Sequence, residues 1–185
     1  MILMEHIVRE GHPVLRTRAE ELIFPLSEVD RELSEDLMGY VINSQDAELS
    51  EKFGLRPGIG LAAPQLGKSK RIFALHITDV DQEATSFIAI NPKIASHSIE
   101  KTYLSSGEGC LSVDRDVEGY VPRYARITIK AFDLQGNEFK KRLKGIAAIA
   151  FQHELDHLNG IMFFDHIDKE VPFKDIPGAT PFERD

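Results

Sequence analysis

Gly145-Ile146-Ala147-Ala148-Ile149-Ala150-Phe151-Gln152-His153-Glu154-Leu155-Asp156-His157 is free of proline and apolar nearly all round until Gln152, where it turns polar. A helix of that kind is buried. Asn159-Gly160 supplies its C-terminal stop, since both residues tolerate the left-handed conformation that closes a helix. His153 and His157 therefore fall in the last two turns of a core helix. Residues four apart project from one helical face, about 6 Å apart at Cβ, so the two imidazoles can share a metal ion. Glu154, rotated by about 100°, sits at the edge of that face, where a general base is needed. A buried histidine pair without partners would leave its nitrogens unsatisfied at about 1–3 kcal/mol each. A lone histidine on an apolar face is ordinarily a hydrogen-bonded core residue; the pair with its glutamate favours ligation.

A catalytic metal typically takes three protein groups and keeps one position for water. The chain has one cysteine, Cys110, in Gly107-Glu108-Gly109-Cys110-Leu111-Ser112. Its flanking glycines let the backbone approach an ion and leave adjacent amides pointing into a site. The other reading of a single cysteine is a small buried hydrophobe. One cysteine also excludes an intramolecular disulfide, which fits a reducing compartment. In Gly58-Ile59-Gly60-Leu61-Ala62-Ala63-Pro64-Gln65 the glycines lack the Lys-Ser/Thr of a phosphate-binding loop and the third glycine of a dinucleotide fingerprint. They suggest close backbone packing instead. Gln65 ends that run with an amide able to donate to an oxygen, although a surface glutamine after a turn is the default.

Gly58 to Gln65, Glu108 to Ser112 and Gln152 to His157 resemble, in order and without departure at a defining position, the three signature motifs of the peptide deformylases. The resemblance runs from Ile7 to about Asp168 and is closest to the longer form typical of Gram-positive bacteria, whose extra segment corresponds to about Asn43 to Pro57. It implies removal of the formyl group from the N-terminal formyl-methionine of new polypeptides, with release of formate. It also implies Cys110, His153 and His157 as ligands of one divalent metal, Glu154 as general acid/base, and Gln65 with the Leu111 amide as oxyanion donors. Ile59, Gly60, Glu108, Gly109 and Ala150 match pocket positions. Ile149, one turn before His153 on the same face, can wall a pocket for a methionine side chain or be plain core. One thiolate and two imidazoles suit Zn2+, Fe2+, Co2+ or Ni2+ and disfavour magnesium or calcium; the resemblance favours Fe2+. Asp156 can pair with a basic group such as Arg123 or remain solvated. The alternative is a zinc-dependent peptidase of the His-Glu-x-x-His type, which usually takes its third ligand downstream as His or Glu.

With 22 basic and 30 acidic residues the net charge is −8, which favours solubility and opposes non-specific nucleic-acid binding. The apolar runs are too short to span a bilayer, and Glu5, Arg9 and Glu10 interrupt any signal-peptide core. The cytoplasm is the expected location. At 185 residues, without repeats or linkers, the chain reads as one catalytic domain over 1–185. Ser27 to Asp30 is expected to cap a helix with Val29, Leu33, Leu37 and Val41 on its core face. Arg71 to Ile77 and Phe87 to Ile90 read as strands, the second limited by Pro92. Arg126 to Phe132 turns through Gln135-Gly136-Asn137 into Glu138 to Leu143 as a hairpin. The acidic segment Gln45 to Lys52 reads as a solvated helix face or loop. Strands segregated from an early and a late helix argue for an α+β fold, with antiparallel sheets packed around the helix that carries the two histidines. From about 171 the tail holds Pro172, Pro177 and Pro181 and is expected to be non-helical. Some relatives dock on the ribosome, near its exit tunnel, through a C-terminal helix, a mode this tail does not suit.

Overall fold

The computed structural model describes residues 1–78 and 84–184. Ser27 opens the first long helix, its Oγ accepting from the Asp30 N–H at 3.1 Å, and α1 runs from Glu28 to Gln45. Asp46 caps the short helix α2, Ala47–Phe53, within the acidic segment, and Gly54 ends it at φ +61°. Among the described residues eight strands and a third helix follow: β1 Gly60–Ala62, β2 Ile72–Ile77, β3 Thr85–His97, β4 Lys101–Leu104, β5 Arg123–Tyr124, β6 Arg126–Phe132, β7 Glu138–Lys144, α3 Gly145–Leu158 and β8 Ala179–Phe182.

Two sheets result. The larger is antiparallel throughout in the order β1-β2-β3-β6-β7, and the smaller is β5-β4-β8 with β8 parallel to β4. Strand β2 is buried at every position but His76, because both faces of the large sheet are covered. Its alternation distributes side chains to two cores. Phe73, Leu75 and Ile77 pack with Ile146, Ala147, Ala148, Ala150 and Phe151 of α3, whereas Ile72 and Ala74 pack with Leu37, Tyr40 and Val41 of α1. The rings of Phe73 and Phe151 meet edge-on, with centroids 5.1 Å apart. The α+β class, with an antiparallel sheet and helices on it, is therefore the observed architecture.

The C-terminal end of α3 is held firmly, and this end carries the histidines. Arg71, buried, donates to the Leu158 carbonyl at 3.0 Å and to Asn159 Oδ1 at 3.1 Å, placing a cation where the helix dipole is negative. Gly160 has φ +74°, and a Cβ there would lie 2.7 Å from the Arg16 carbonyl carbon, so both conformation and space require glycine.

Two details differ from expectation. Strand β3 does not stop at Pro92; it continues to His97 through a register shift between Ile90 and Lys93. Asn91 takes φ 48° there and its side chain bonds both the N–H and the carbonyl of Leu22, at 2.9 Å each, so the proline sits in a bulge where its missing donor is not needed. Val29, in the first turn of α1, is 71% exposed, and Tyr40 joins Leu37 and Val41 in the core. The proline-containing tail forms β8, with Thr102 Oγ1 donating to the Thr180 carbonyl at 2.8 Å. Edge strand β7 exposes Lys140, Lys141, Arg142 and Lys144, charges that guard an unpaired edge. No helix among the described residues is long and apolar enough to cross a membrane.

Candidate metal centre and cleft

Helix α3 presents His153 and His157 with ring centroids 5.0 Å apart. The loop before β5 brings Cys110 to them: its Sγ lies 3.3 Å from His157 Nε2, and a donor atom from each of the three residues falls within 4.8 Å of the others. A four-coordinate ion with bonds of about 2.3 Å to sulfur and about 2.0–2.1 Å to nitrogen separates those donors by about 3.6 Å. The observed spacing fits such an ion. The thiol is electrostatically prepared: burial opposes a thiolate at Cys110, yet His157 and His153 hold its pKa well below the usual thiol value. Burial likewise opposes a charged His153, yet Cys110 and Glu108 raise its pKa well above the usual imidazole value, so the two anions favour a cation at this place, and a metal ion would bind there in exchange for the Nε2 proton. His157 Nδ1 is buried without a hydrogen-bond partner among the described residues.

His153 is oriented from behind. Its Nδ1 lies 2.8 Å from Glu108 Oε2, and a carboxylate accepting there leaves Nε2 as the lone-pair nitrogen for a metal. Glu108 is in turn gripped by Arg123, whose Nε and Nη2 donate to its two oxygens at 2.8 and 2.9 Å. Arg123 Nη1 donates to Asp156 Oδ2 at 2.5 Å, and that oxygen also meets His166 Nε2 at 2.8 Å. Asp156 thus pairs with Arg123. Burial alone would raise the Glu108 pKa, but the charge and hydrogen bonds of Arg123, with His153, bring it down to about 2.

Gln65 is 2% exposed, not a surface residue. The turn Ala63–Leu66 folds its side chain back so that Oε1 accepts from the Ala62 N–H at 2.9 Å. This fixes the amide and points Nε2 at Cys110 Sγ, 3.5 Å away, and at Ser112 Oγ, 3.3 Å away. The Leu111 N–H makes no backbone hydrogen bond among the described residues. Glu154 is buried with Oε2 unpartnered, and burial, outweighing the two histidines, lifts its pKa to about 7. Gly60 makes room for it: a Cβ there would stand 2.5 Å from Glu154 Oε1.

These groups border a cavity of about 350 Å³. Ile59, Gly60, Gln65, Glu108, Gly109, Cys110, Leu111, Ile149, Ala150, His153 and Glu154 all line it, so the structure brings these expected site residues together around the metal-ligand cluster, with His157 behind. Ile149 faces the cavity and takes no part in the cores on either side of the sheet. The wall also includes Gln45, Arg56, Leu104 and Arg184, which sequence reasoning missed because they lie outside the three motifs. The orienting role of Glu108 escaped it too. An ionisable residue beside the cysteine in a buried glycine-rich loop was the available signal.

A helix carrying His-Glu-x-x-His beside a thiolate from an upstream loop, at the floor of a cleft with an aimed amide, defines a metal-dependent hydrolase with a mixed sulfur and nitrogen site. The third donor precedes the helix, unlike that of the peptidase alternative. The chain belongs to the polypeptide deformylase family, whose model matches residues 4–172. Peptide deformylase 2 of Bacillus anthracis is 59% identical over 184 residues, covering 100% of both chains. A peptide deformylase of Listeria monocytogenes is 56% identical over 93% of this chain and 94% of its own. Among solved structures, a class I type b peptide deformylase from Acinetobacter baumannii with Met-Ala-Ser bound aligns at TM-score 0.71 and 28% identity, covering 87% of this chain and 96% of that one. The peptide deformylase from Thermotoga maritima aligns at TM-score 0.67 and 33% identity, covering 88% of this chain and 96% of that one.

Proposed function

We propose that this chain hydrolyses the N-formyl group of formyl-methionine at the start of new polypeptides, releasing formate and a free α-amine. The observation that carries the reading is the cluster of Cys110, His153 and His157, with donors within 4.8 Å, at a cleft that also receives Glu154 and Gln65. Those three residues would hold one divalent ion, which supplies Lewis acidity and a positive charge at the cavity floor. The donor set suits Zn2+, Fe2+, Co2+ or Ni2+ without choosing among them, and the likeness to the deformylases favours Fe2+.

Glu154 accepts a proton from the water that attacks the formyl carbon and returns it to the departing amine. Burial lifts its carboxyl above the usual carboxylate range, in the direction a group that both accepts and returns a proton needs. As the formyl oxygen gains charge, Gln65 Nε2 and the Leu111 N–H are the donors that meet it. Glu108, through His153 Nδ1, holds that ring in its ligating tautomer. Ile59, Ile149 and Ala150 give the cleft apolar surface suited to a methionine side chain, with Gly60 and Gly109 leaving room for substrate backbone. The Met-Ala-Ser bound to the Acinetobacter relative supports a cleft that accepts the start of a methionyl peptide.

In this reading 1–185 acts as one catalytic domain, working in the cytoplasm where formylated chains emerge. Any ribosome contact near the exit tunnel would use a surface other than a C-terminal helix, because Ala179–Phe182 is a strand. The test is formate release from formyl-Met-Ala by anaerobically purified protein, with blocked internal peptides as the comparison. Formate from the first and no cleavage of the second is the expected result; the reverse would return the peptidase alternative.

A further inference from the structure

The loop that carries Cys110 is tied down by its carbonyls. The Glu10 N–H donates to the Ser112 carbonyl at 2.8 Å, and the Val113 N–H to the Cys110 carbonyl at 3.1 Å. Arg56 adds a fork: its Nη2 donates to the carbonyls of Cys110 and Val113 at 3.2 and 3.3 Å, and its Nη1 to Asp114 Oδ1 at 2.9 Å. The other oxygen of Asp114 accepts from Arg9 Nε at 2.9 Å. Arg56 is itself placed from α1, where the fully buried Tyr40 donates its hydroxyl to the Arg56 carbonyl at 3.0 Å. Two residues on, the Gly58 N–H donates to Ser44 Oγ at 3.2 Å, and Gln45 Nε2 donates to the Gly58 carbonyl at 3.0 Å.

Leu111 is the exception in this loop. It is buried, lines the cavity and packs its side chain in the α1 core, yet its N–H donates to no backbone carbonyl among the described residues. Buried backbone N–H groups are almost always paired, so an idle one beside a metal-ligand cluster marks a place kept for a ligand atom. The Cys110 carbonyl and the Leu111 N–H are the two ends of one planar trans peptide and point in opposite directions. A guanidinium that grips the carbonyl therefore holds the N–H turned the other way without touching it. Only a rigid fork with several donors can meet two carbonyls and a carboxylate at once.

We propose that Arg56 is a positioning residue for the oxyanion site: by clamping the Cys110 carbonyl it keeps the Leu111 N–H facing the reacting end of the cleft, on the side where the Gln65 amide donates. This rests on the deformylase reading above, in which those two donors meet the formyl oxygen. Arg56 acts through the peptide plane and has no part in the bond-breaking step. Removing an oxyanion donor costs on the order of a hundred- to a thousandfold in kcat, and a donor left in place but free to turn costs less, about 10- to 100-fold.

The experiment compares wild type, Arg56→Lys and Arg56→Ala. Leu111 follows the chain's one cysteine, so isotopic labelling of the cysteine carbonyl carbon and the leucine nitrogen gives, in zinc-loaded protein, a single NMR correlation for this peptide unit. In Arg56→Ala the carbonyl carbon is expected to move upfield as its charged donor is lost, and kcat for formyl-Met-Ala to fall about 10- to 100-fold with KM and metal content unchanged. Arg56→Lys, which keeps the charge without the fork and disturbs the fold least, should lie between. Calorimetric binding of unformylated Met-Ala-Ser, which has no formyl oxygen to place, should be equal in all three proteins. Unchanged kcat, or a correlation that stays in place in both variants, would overturn the inference. So would a loss carried by KM with weaker Met-Ala-Ser binding, since Arg56 would then be a substrate contact, or a loss carried by metal content, since the clamp would then serve Cys110. Wild type that releases no formate while the correlation still moves in Arg56→Ala would remove the deformylase reading and leave the clamp in place.

Discussion

Gly60→Ala tests whether the position of Glu154 is set for catalysis. Gly60 lies in β1 opposite Leu75 and is not at positive φ, so its backbone accepts alanine. The new Cβ would stand 2.5 Å from Glu154 Oε1 and 2.8 Å from its Cδ and Cγ, while ordinary van der Waals contact begins at 3.4 Å, a retreat of about 0.9 Å for the carboxylate. Glu154 cannot absorb this by sliding along the surface, because it is buried on a helix fixed at its C-terminus by Arg71. A misplacement of about 1 Å at a reacting group costs on the order of a hundredfold in rate. Gly60→Ala is therefore expected to lower kcat for formyl-Met-Ala by about 10- to 100-fold while retaining metal content and cooperative unfolding. Steady-state formate release, elemental analysis and thermal melting provide the three readouts. Full turnover would refute the reasoning, since the acid/base would then work from somewhere other than the place Gly60 clears for it.

Other consequences follow from neighbouring contacts. Gln65→Leu keeps the side-chain bulk and removes the donor, so turnover should fall about a hundredfold, at about 2.7–4 kcal/mol in the barrier, with metal retained; unchanged kcat would remove Gln65 from the mechanism. Arg123→Met leaves Glu108 and Asp156 buried without their cation, an expected loss of about 3–5 kcal/mol in urea unfolding and of about 10- to 100-fold in metal affinity; an unchanged midpoint would show the network to be idle. Because the Glu108 pKa is depressed from 4.5 to about 2, its share of stability is present above about pH 4.5 and is lost as pH falls toward 2, about 3 kcal/mol in all. Glu108→Gln should flatten that acid limb by about one proton, and parallel stability curves for the two proteins would contradict the assignment.

What the sequence disclosed depends on whether an interaction is local. His153 and His157 were legible because four residues of helix suffice to align them, and the buried character of α3 followed from seven apolar residues in succession. Cys110 and Gln65 were legible through their glycine-flanked segments and their resemblance to family motifs. The Glu108–Arg123–Asp156 network was only half visible, since nothing in the local pattern of Arg123 distinguishes a buried cation from a surface one. The smaller sheet was not legible. Its β4 and β8 are four residues each, Pro181 lies within β8, and the hydrogen bond between Thr102 and Thr180 spans 78 residues. Pro92 misled for the opposite reason: a local rule that ends strands was met by Asn91 in a bulge, with Leu22 supplying the pairing from far along the chain.

Metal-edge X-ray absorption on anaerobically purified protein addresses the ligand set directly. One metal per chain, with a single sulfur neighbour at about 2.3 Å and nitrogen neighbours at about 2.0–2.1 Å, is the expected result, and the sulfur contribution should disappear in Cys110→Ser. A metal without a sulfur neighbour, or one whose spectrum ignores that substitution, would contradict the joining of Cys110 to His153 and His157.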